Sequence, residues 1–537
     1  MLLIGDERPL GANTLVNPKK LGPGLGVNAS DLDISQGDFR GRRAASTVHT
    51  LTGYSSVQQH AIYRHGRGTV SDTQYWFAYA DDVDFARSML ASDPLERTYG
   101  TGGVFTKPVY TDSTFITSAP YGQDGYSLGI PAPGTGMTAA VATAGTGNNE
   151  TRLYVSTFVR YNDDESAPSQ ATTIIVKAGS TVDLTDFPAD PGASAGVDRR
   201  RIYVSTGGDF RLCVEDVLAE TTLTDTGTRG AILQTGGSTA KPAWLEPPDD
   251  GYGLLELWNG MHGLLNGKQY MACVPYNPHG WPVQYRRQVP DTIVGSAKWG
   301  QSWVLATTGI PRVVEGRAPE GMQDKPILNS MACVSKRSVV GVGHGVCWAG
   351  PTGLAYYGQN GSINLTADIL TEAQWKALVP STIIGASWGR WYIGFYNDGT
   401  RRGFMIDTVA PTGLIWLTQG AYAVFSDPFQ GLLYILDSSN NIKKWDAGSV
   451  ASATFKSRVF RLQRPSNPAV ARVIATTYPV ALSMWADGDL KVNALSVAND
   501  NEFMLPAGYM CEELQYQTVG TGPVEGVFIG EHPKDLP

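Results

Sequence analysis

Charge and cysteine are both scarce in this chain. Only 17% of its 537 residues are Asp, Glu, Lys or Arg, where about 25% is usual, and the balance is mildly acidic at −8. A solvating disordered chain would carry more charge on less apolar content, and a strongly basic nucleic-acid binder would carry the opposite sign. The five cysteines, Cys213, Cys273, Cys333, Cys347 and Cys511, stand singly, with no CxxC pair and an odd total. That pattern argues against a disulfide framework or a thiolate zinc site and for buried free thiols.

Long apolar runs are missing too. The opening MLLIGDERPLGANT has four apolar residues before Gly5 and then meets Asp6 and Glu7, so no secretory signal is expected. The best membrane-span candidate, 339–358, is uncharged but holds six glycines and Pro351, and reads as paired buried strands. Without either signal, synthesis in the cytoplasm is expected, with use there or assembly into something larger.

Motifs of catalysis are equally thin. Histidines 49, 60, 65, 262, 279, 344 and 532 form no HExxH and no metal-spaced pair backed by carboxylates, and no GxxxxGK[S/T] loop is present. Two acidic groups, Asp81, Asp82 and Asp84, and Asp163, Asp164 and Glu165, are candidates for a glycosidase pair, but adjacent acids in polar turns read as solvated loops. Arginines cluster at 40, 42 and 43, at 199–201, at 286 and 287, and at 401 and 402. They read as solvated strand edges or as subunit and module contacts, because phosphate gripping needs one basic face with stacking aromatics. Trp299, Trp303, Trp388 and Trp391 read as core, with stacking on sugars as the alternative. The chain is expected to be no enzyme, with no cofactor, no metal and no small-molecule substrate.

What is plentiful is glycine, at 62, and proline, at 32, so the chain turns often and points to β structure. Turn glycines precede apolar strands at Gly267, Gly300, Gly345, Gly389 and Gly431, with spacings of 33, 45, 44 and 42. A second turn and strand follow most of them. A period of roughly 40–45 residues with several short strands is that of a β-propeller blade. One helix, 371–378, interrupts the series, where Thr371 and Gln374 have capping-box spacing and Pro380 follows. The predicted fold class is all-β: a β-propeller with an inserted β-sandwich and a C-terminal β domain. Its parts are an N-terminal arm over 1–49, the first part of the propeller over 50–130, the sandwich over 131–249, the main part of the propeller over 250–452 and the last domain over 453–537.

Several phrases carry a family resemblance. GANTLVNPKKLGPGLGVNASDLDISQGDFRGRR, YWFAYADDVDFARSMLASDPLERTYGTGG, NPHGWPVQYRRQV, ACVSKRSVVGVGHGVCWAGPTGL and EAQWKALVPSTI resemble the tail nozzle, or tail tubular, proteins of short-tailed bacteriophages (podoviruses). LYVSTFVRYNDDESAPS is similar to the penultimate strand and loop of a fibronectin type III module, here preceding the strands that normally begin one, so the insertion is either permuted or split from two half-modules. The resemblance implies a virion structural protein, a hexameric ring attached to the portal and adaptor and to fibre or spike proteins. Such a ring passes double-stranded DNA without specific binding during genome ejection. A receptor- or glycan-binding propeller protein of the virion is the alternative.

Overall fold

The computed structural model describes residues 8–35, 37–54, 58–66, 75–91, 93–226, 240–506 and 508–536. Residues 1–7, read above for a signal, lie outside them. Among the described residues the chain is β-stranded apart from short 3-10 turns and one α-helix, Glu372–Ala377. That helix is capped as its sequence predicts. The Thr371 hydroxyl accepts from Gln374 N at 3.2 Å while the Gln374 side chain accepts from Thr371 N at 2.8 Å, satisfying two end donors reciprocally.

The chain forms two compact units. One holds residues 1–62, 294–313 and 325–537, the other 63–293 and 314–324. In the second unit, Val83–Arg87, Thr98–Gly102, Phe105–Thr111 and Tyr126–Ser127 make one antiparallel meander, and Tyr252–Glu256, His262–Asn266, Gln269–Ala272 and Arg286–Gln288 make another. A third such sheet, Ile293–Trp299, Ser302–Thr307, Arg312–Glu315 and Gln323–Pro326, has most of its residues in the first unit. In the first unit the pattern continues with Val340–Val342, Gly345–Ala349, Leu354–Gly358 and Gly361–Asn364, so the 339–358 stretch is paired strands. Repeated four-stranded meanders make the chain all-β and propeller-like.

Four of the five turn glycines sit where a side chain is penalised. Gly267, Gly300, Gly389 and Gly431 have φ of 60°, 57°, 58° and 63°, in the left-handed region that glycine enters freely. Gly345 differs: it begins the strand Gly345–Ala349 and has no positive φ. Its glycine is required by proximity, since a Cβ there would lie 2.2 Å from the Tyr357 carbonyl oxygen on the paired strand.

The segment 1–49, expected as an arm, is instead woven into the first unit as far as it is described. Gly11–Ala12 pairs with Leu25–Ser30 and with Leu414–Leu417, and Leu25–Ser30 pairs in turn with Ala453–Ser457. Gly26 makes this approach possible, because a Cβ would meet Lys456 O at 2.4 Å. Asp31, at φ 51°, then bends the chain, and its carboxylate accepts from Thr418 Oγ1 at 2.5 Å and from Arg42 Nε at 3.1 Å. Further on, Ser46–Thr50 adds to Asn441–Lys444 as the fourth strand of the sheet begun by Ala423–Asp427 and Leu432–Leu436.

That weaving also runs across the expected boundary at 453. Ile384–Trp388, Trp391–Asn397, Arg401–Asp407 and Leu414–Leu417 continue through the two N-terminal strands into Ala453–Ser457, Cys511–Gly520, Val480–Ala486 and Asp489–Val497, giving one eleven-stranded sheet with Phe460–Ser466 off its path. Ile393, Phe395, Phe455, Leu482 and Val527 belong to one buried cluster. The C-terminal strands thus share a core with a blade-like meander rather than closing one of their own.

Among its described residues the insertion in the second unit contains seven strands. Thr138–Thr143, Thr181–Thr185 and Leu223–Asp225 form one sheet; Thr172–Lys177, Asn149–Arg160, Val197–Ser205 and Arg211–Val217 form the other. Both contribute to a core of Tyr154, Val182, Leu184, Ile202 and Leu223. The strand likened to a penultimate one, Asn149–Arg160, is second in chain order and central in its sheet.

Valine at Gly300 or Gly389 is expected to lower stability by about 1 kcal/mol or more through the left-handed backbone. At Gly345 a larger loss, about 2 kcal/mol or more, is expected from the clash with Tyr357. Urea denaturation midpoints of the three variants check both statements.

Candidate functional site: a charged joint and a tryptophan-walled cavity

The acidic and basic clusters of the sequence meet each other where the insertion joins its blade. Arg160, fully buried at 0% exposure, ends the central strand of the insertion. Its Nε donates to Ala195 O at 2.6 Å, Nη1 to Leu128 O at 3.4 Å and Nη2 to Gly129 O at 3.0 Å, and Nη2 also donates to Ser127 O. Asp164, only 7% exposed, lies 3.8 Å from Arg160 Nη1, 3.9 Å from Arg97 Nη1 and 3.1 Å from His279 Nδ1. Burial opposes ionisation of Asp164, but His279 and Arg160 outweigh it and hold the carboxyl at about 2.

An aromatic shell surrounds this pair. The hydroxyls of Tyr110 and Tyr161 both donate to Asp112 Oδ2, and they lie 3.0 Å from each other. Burial and the bond to Asp112 push Tyr161 up to about 12, so both phenols stay protonated donors. Glu165 is buried as well: it accepts from Thr157 Oγ1 at 2.6 Å, Tyr203 Oη at 2.5 Å and Arg201 Nη1 at 3.0 Å. Asp163 and Glu215 take the remaining reach of Arg199 and Arg201. Of Asp163, Asp164 and Glu165, all read as solvated, only Asp163 is exposed, with its side chain at 69%.

No GxSxG nucleophile elbow is expected, yet the sequence carries two GxSxG spacings, GYSLG at 125–129 and GASAG at 192–196. Neither serine stands on a strand-to-α-helix elbow: Ser127 ends a strand paired with Val109, and Ser194 lies in the 3-10 turn Ala193–Ala195. Both segments supply carbonyls to Arg160. Their glycines permit that closeness, since a Cβ on Gly125 would meet Tyr110 O at 2.3 Å and one on Gly196 would meet the Tyr126 ring at 2.5 Å.

The other sequence candidates are dispersed. His262 Nε2 lies 2.8 Å from Arg87 O, and His65 Nδ1 lies 3.0 Å from Thr98 Oγ1. Burial and the charge of Arg87 push His65 down to about 4. Asp84 accepts from Gly253 N at 2.7 Å. Arg286 and Arg287 donate to carbonyls, including Glu246 O and Gln284 O, while Arg401 lies 4.2 Å over the Tyr422 ring. Among the described residues, no three His, Cys, Asp or Glu side chains gather as metal ligands.

The first unit contains a cavity of about 520 Å³, lined among others by Asp33, Arg42, Trp388, Arg390, Trp391, Trp445 and Asp446. Trp388 and Trp391 pair across the turn made by Gly389 and Arg390, and both are half-buried. Trp445 is 4% exposed and carries the Arg42 guanidinium 4.5 Å over its ring. Arg390 is held 2.5 Å from Asp407 and lies 5.6 Å over Trp391. Burial, with Asp33 nearby, raises the Asp446 carboxyl above its ordinary value. Gly389 and Gly431 also line this space, so two of the turn glycines shape a recess as well as a hairpin.

Asp164→Asn is expected to cost about 3 kcal/mol, because it leaves buried cations uncompensated. Asp163→Asn should stay within about 0.5 kcal/mol; urea denaturation separates the two. The pH windows also differ. Asp164, at about 2 in the fold against an ordinary value near about 4, contributes stability that is present above about pH 4 and lost as pH falls through about 2. His65, at about 4 in the fold against about 6.5, costs stability as pH falls from about 6.5 and stops doing so below about 4. Melting curves of His65→Phe should therefore flatten between these two values, and those of Asp164→Asn below them.

No family model matches the chain, and no curated protein matches it. Solved structures do. The Neurospora crassa Pan2 WD40 domain is similar over 59% of this chain and 87% of its own, at 7% identity and a TM-score of 0.26. Citrobacter koseri AztD is similar over 70% of this chain and 99% of its own, at 14% identity and a TM-score of 0.26. The extracellular domain of the putative one component system BT4673 from B. thetaiotaomicron is similar over 88% of this chain and 49% of its own, at 9% identity and a TM-score of 0.30. At TM-scores of 0.30 and below, these likenesses carry nothing about activity.

Proposed function

We propose that this chain is a structural component of a bacteriophage short tail, a nozzle-like subunit that assembles into a ring and conducts the genome. In this reading the meanders form a propeller, the inserted sandwich is a fibronectin-like module on it, and portal, adaptor and fibre or spike proteins are its partners. It is no enzyme, and it resides in the virion after assembly in the host cytoplasm. The observation that carries the reading is where the charge goes. Arg42, Arg97, Arg160, Arg199 and Arg201 are each engaged by carboxylates or carbonyls of their own unit, which stiffens the chain and leaves them poorly placed to hold phosphate.

A conduit must pass duplex DNA without retaining it, and paired cations on its wall would create salt-dependent retention. A hexamer of this chain would carry 6 × −8 = −48, so an inner wall even slightly enriched in acids would repel the duplex within about 8 Å at physiological salt. Native mass spectrometry and electron microscopy of the purified chain are expected to show a ring with an open axis. The same ring should fail to retain linear duplex DNA at low salt. A monomer under all assembly conditions, or retention whose salt slope indicates several phosphates held per ring, contradicts the reading.

A further inference from the structure

We infer that the cavity walled by Trp388, Trp391 and Trp445 is a binding site for a neutral saccharide. This goes beyond the conduit reading and does not depend on it. The volume, about 520 Å³, falls within the roughly 300–1,000 Å³ of small-ligand sites. Its wall combines indole surface with convergent polar groups, the composition by which such sites fix orientation. Trp388 and Trp391 flank a two-residue turn and are only half-buried, so they retain indole surface that the core does not use.

The polar groups define the ligand's charge. Arg42 and Arg390 line the cavity together with Asp33 and Asp446, and each cation is already paired with a further carboxylate, Arg42 with Asp31 and Arg390 with Asp407. An anionic ligand would meet the carboxylates and a cationic one the guanidinium groups, so a neutral ligand able both to donate and to accept hydrogen bonds fits best. Arg42 supplies the strongest single pointer. It is 93% buried, being 7% exposed; its Nε is taken by Asp31 Oδ1 at 3.1 Å and its Nη1 by Arg43 O at 3.1 Å. Its Nη2 takes no acceptor among the described residues, and so remains able to donate to a ligand oxygen. Asp33 keeps acceptor capacity, since its Oδ1 takes only the Ser35 N–H, at 2.9 Å.

A pyranose ring answers each of these features. Its C–H face packs on the indole rings, as amphipathic rings do on aromatic surface, while its hydroxyls accept from Arg42 Nη2 and donate to Asp33 or Asp446. The same ring is presented by a free disaccharide and by a surface polysaccharide, and titrating both separates the two sources.

Isothermal titration of the full chain with maltose, lactose, cellobiose and dextran tests the assignment, with glucuronate and glucosamine as charged comparators. At least one neutral sugar is expected to bind saturably, and at least about tenfold more tightly than either comparator. A response to a disaccharide marks a free-sugar site, and a response to dextran alone marks a polymer site. Trp388→Ala should weaken binding by about tenfold or more. Trp391→Phe, which keeps an aromatic ring in the strand, guards against misfolding of the alanine variant and should weaken binding by a smaller factor with the melting temperature retained. No heat of binding from any neutral sugar at tens of millimolar, tighter binding of a charged comparator, or full affinity in both folded variants overturns the proposal.

Discussion

The first unit depends on main-chain hydrogen bonding by one short strand, Leu25–Ser30. It lies between Gly11–Ala12 and Ala453–Ser457 and also touches Leu414–Leu417, so meander and C-terminal strands become one sheet. A strand left with open edges invites pairing with other chains; here the edges of the blade and of the C-terminal strands are both covered by residues from the start of the chain. The cost is a narrow steric requirement at Gly26 and a left-handed bend at Asp31. The bend is held by Thr418 and Arg42, and Arg42 in turn stacks on Trp445. The cavity is therefore a product of the same threading, since Asp33 and Arg42 reach it only because the strand before them is fixed.

The second unit solves a different problem, attaching a sandwich to a meander, and does so with charge. Arg160 at 0% exposure would be prohibitive alone. Four carbonyls and Asp164 meet it, while Tyr110 and Tyr126 lie with their rings 5.7 Å from its guanidinium carbon. Such a joint is worth little as net stability compared with an apolar one, but it is geometrically specific, because every donor has one direction.

Much of this was legible from residue order, and for physical reasons. Turn glycines followed by apolar strands report positive φ and a period-2 surface, both local properties, so Gly267, Gly300, Gly389 and Gly431 and the meanders around them could be read directly. The capping box at Thr371 is equally local. Gly345 was misplaced because a glycine demanded by a neighbouring strand's carbonyl looks the same in sequence as one demanded by a turn.

What residue order could not carry was partnership over long separations. Asp163, Asp164 and Glu165 looked like a solvated turn, and Arg199 to Arg201 like a solvated edge, because each cluster alone is a hydrophilic run; only antiparallel pairing of Asn149–Arg160 with Val197–Ser205 brings Arg199 and Arg201 onto Asp163 and Glu165, of which Glu165 is buried. Likewise, an N-terminal arm and a separate C-terminal domain follow naturally from composition, whereas 26 and 456 become neighbours only through a hydrogen-bonded ladder. Local chemistry, the helix cap, the turns and the all-β character, was determined by the sequence itself. The ion-paired joint and the tryptophan-walled cavity were decided by tertiary structure, since both assemble side chains whose separation along the chain is large and whose charges are tolerable only once they meet.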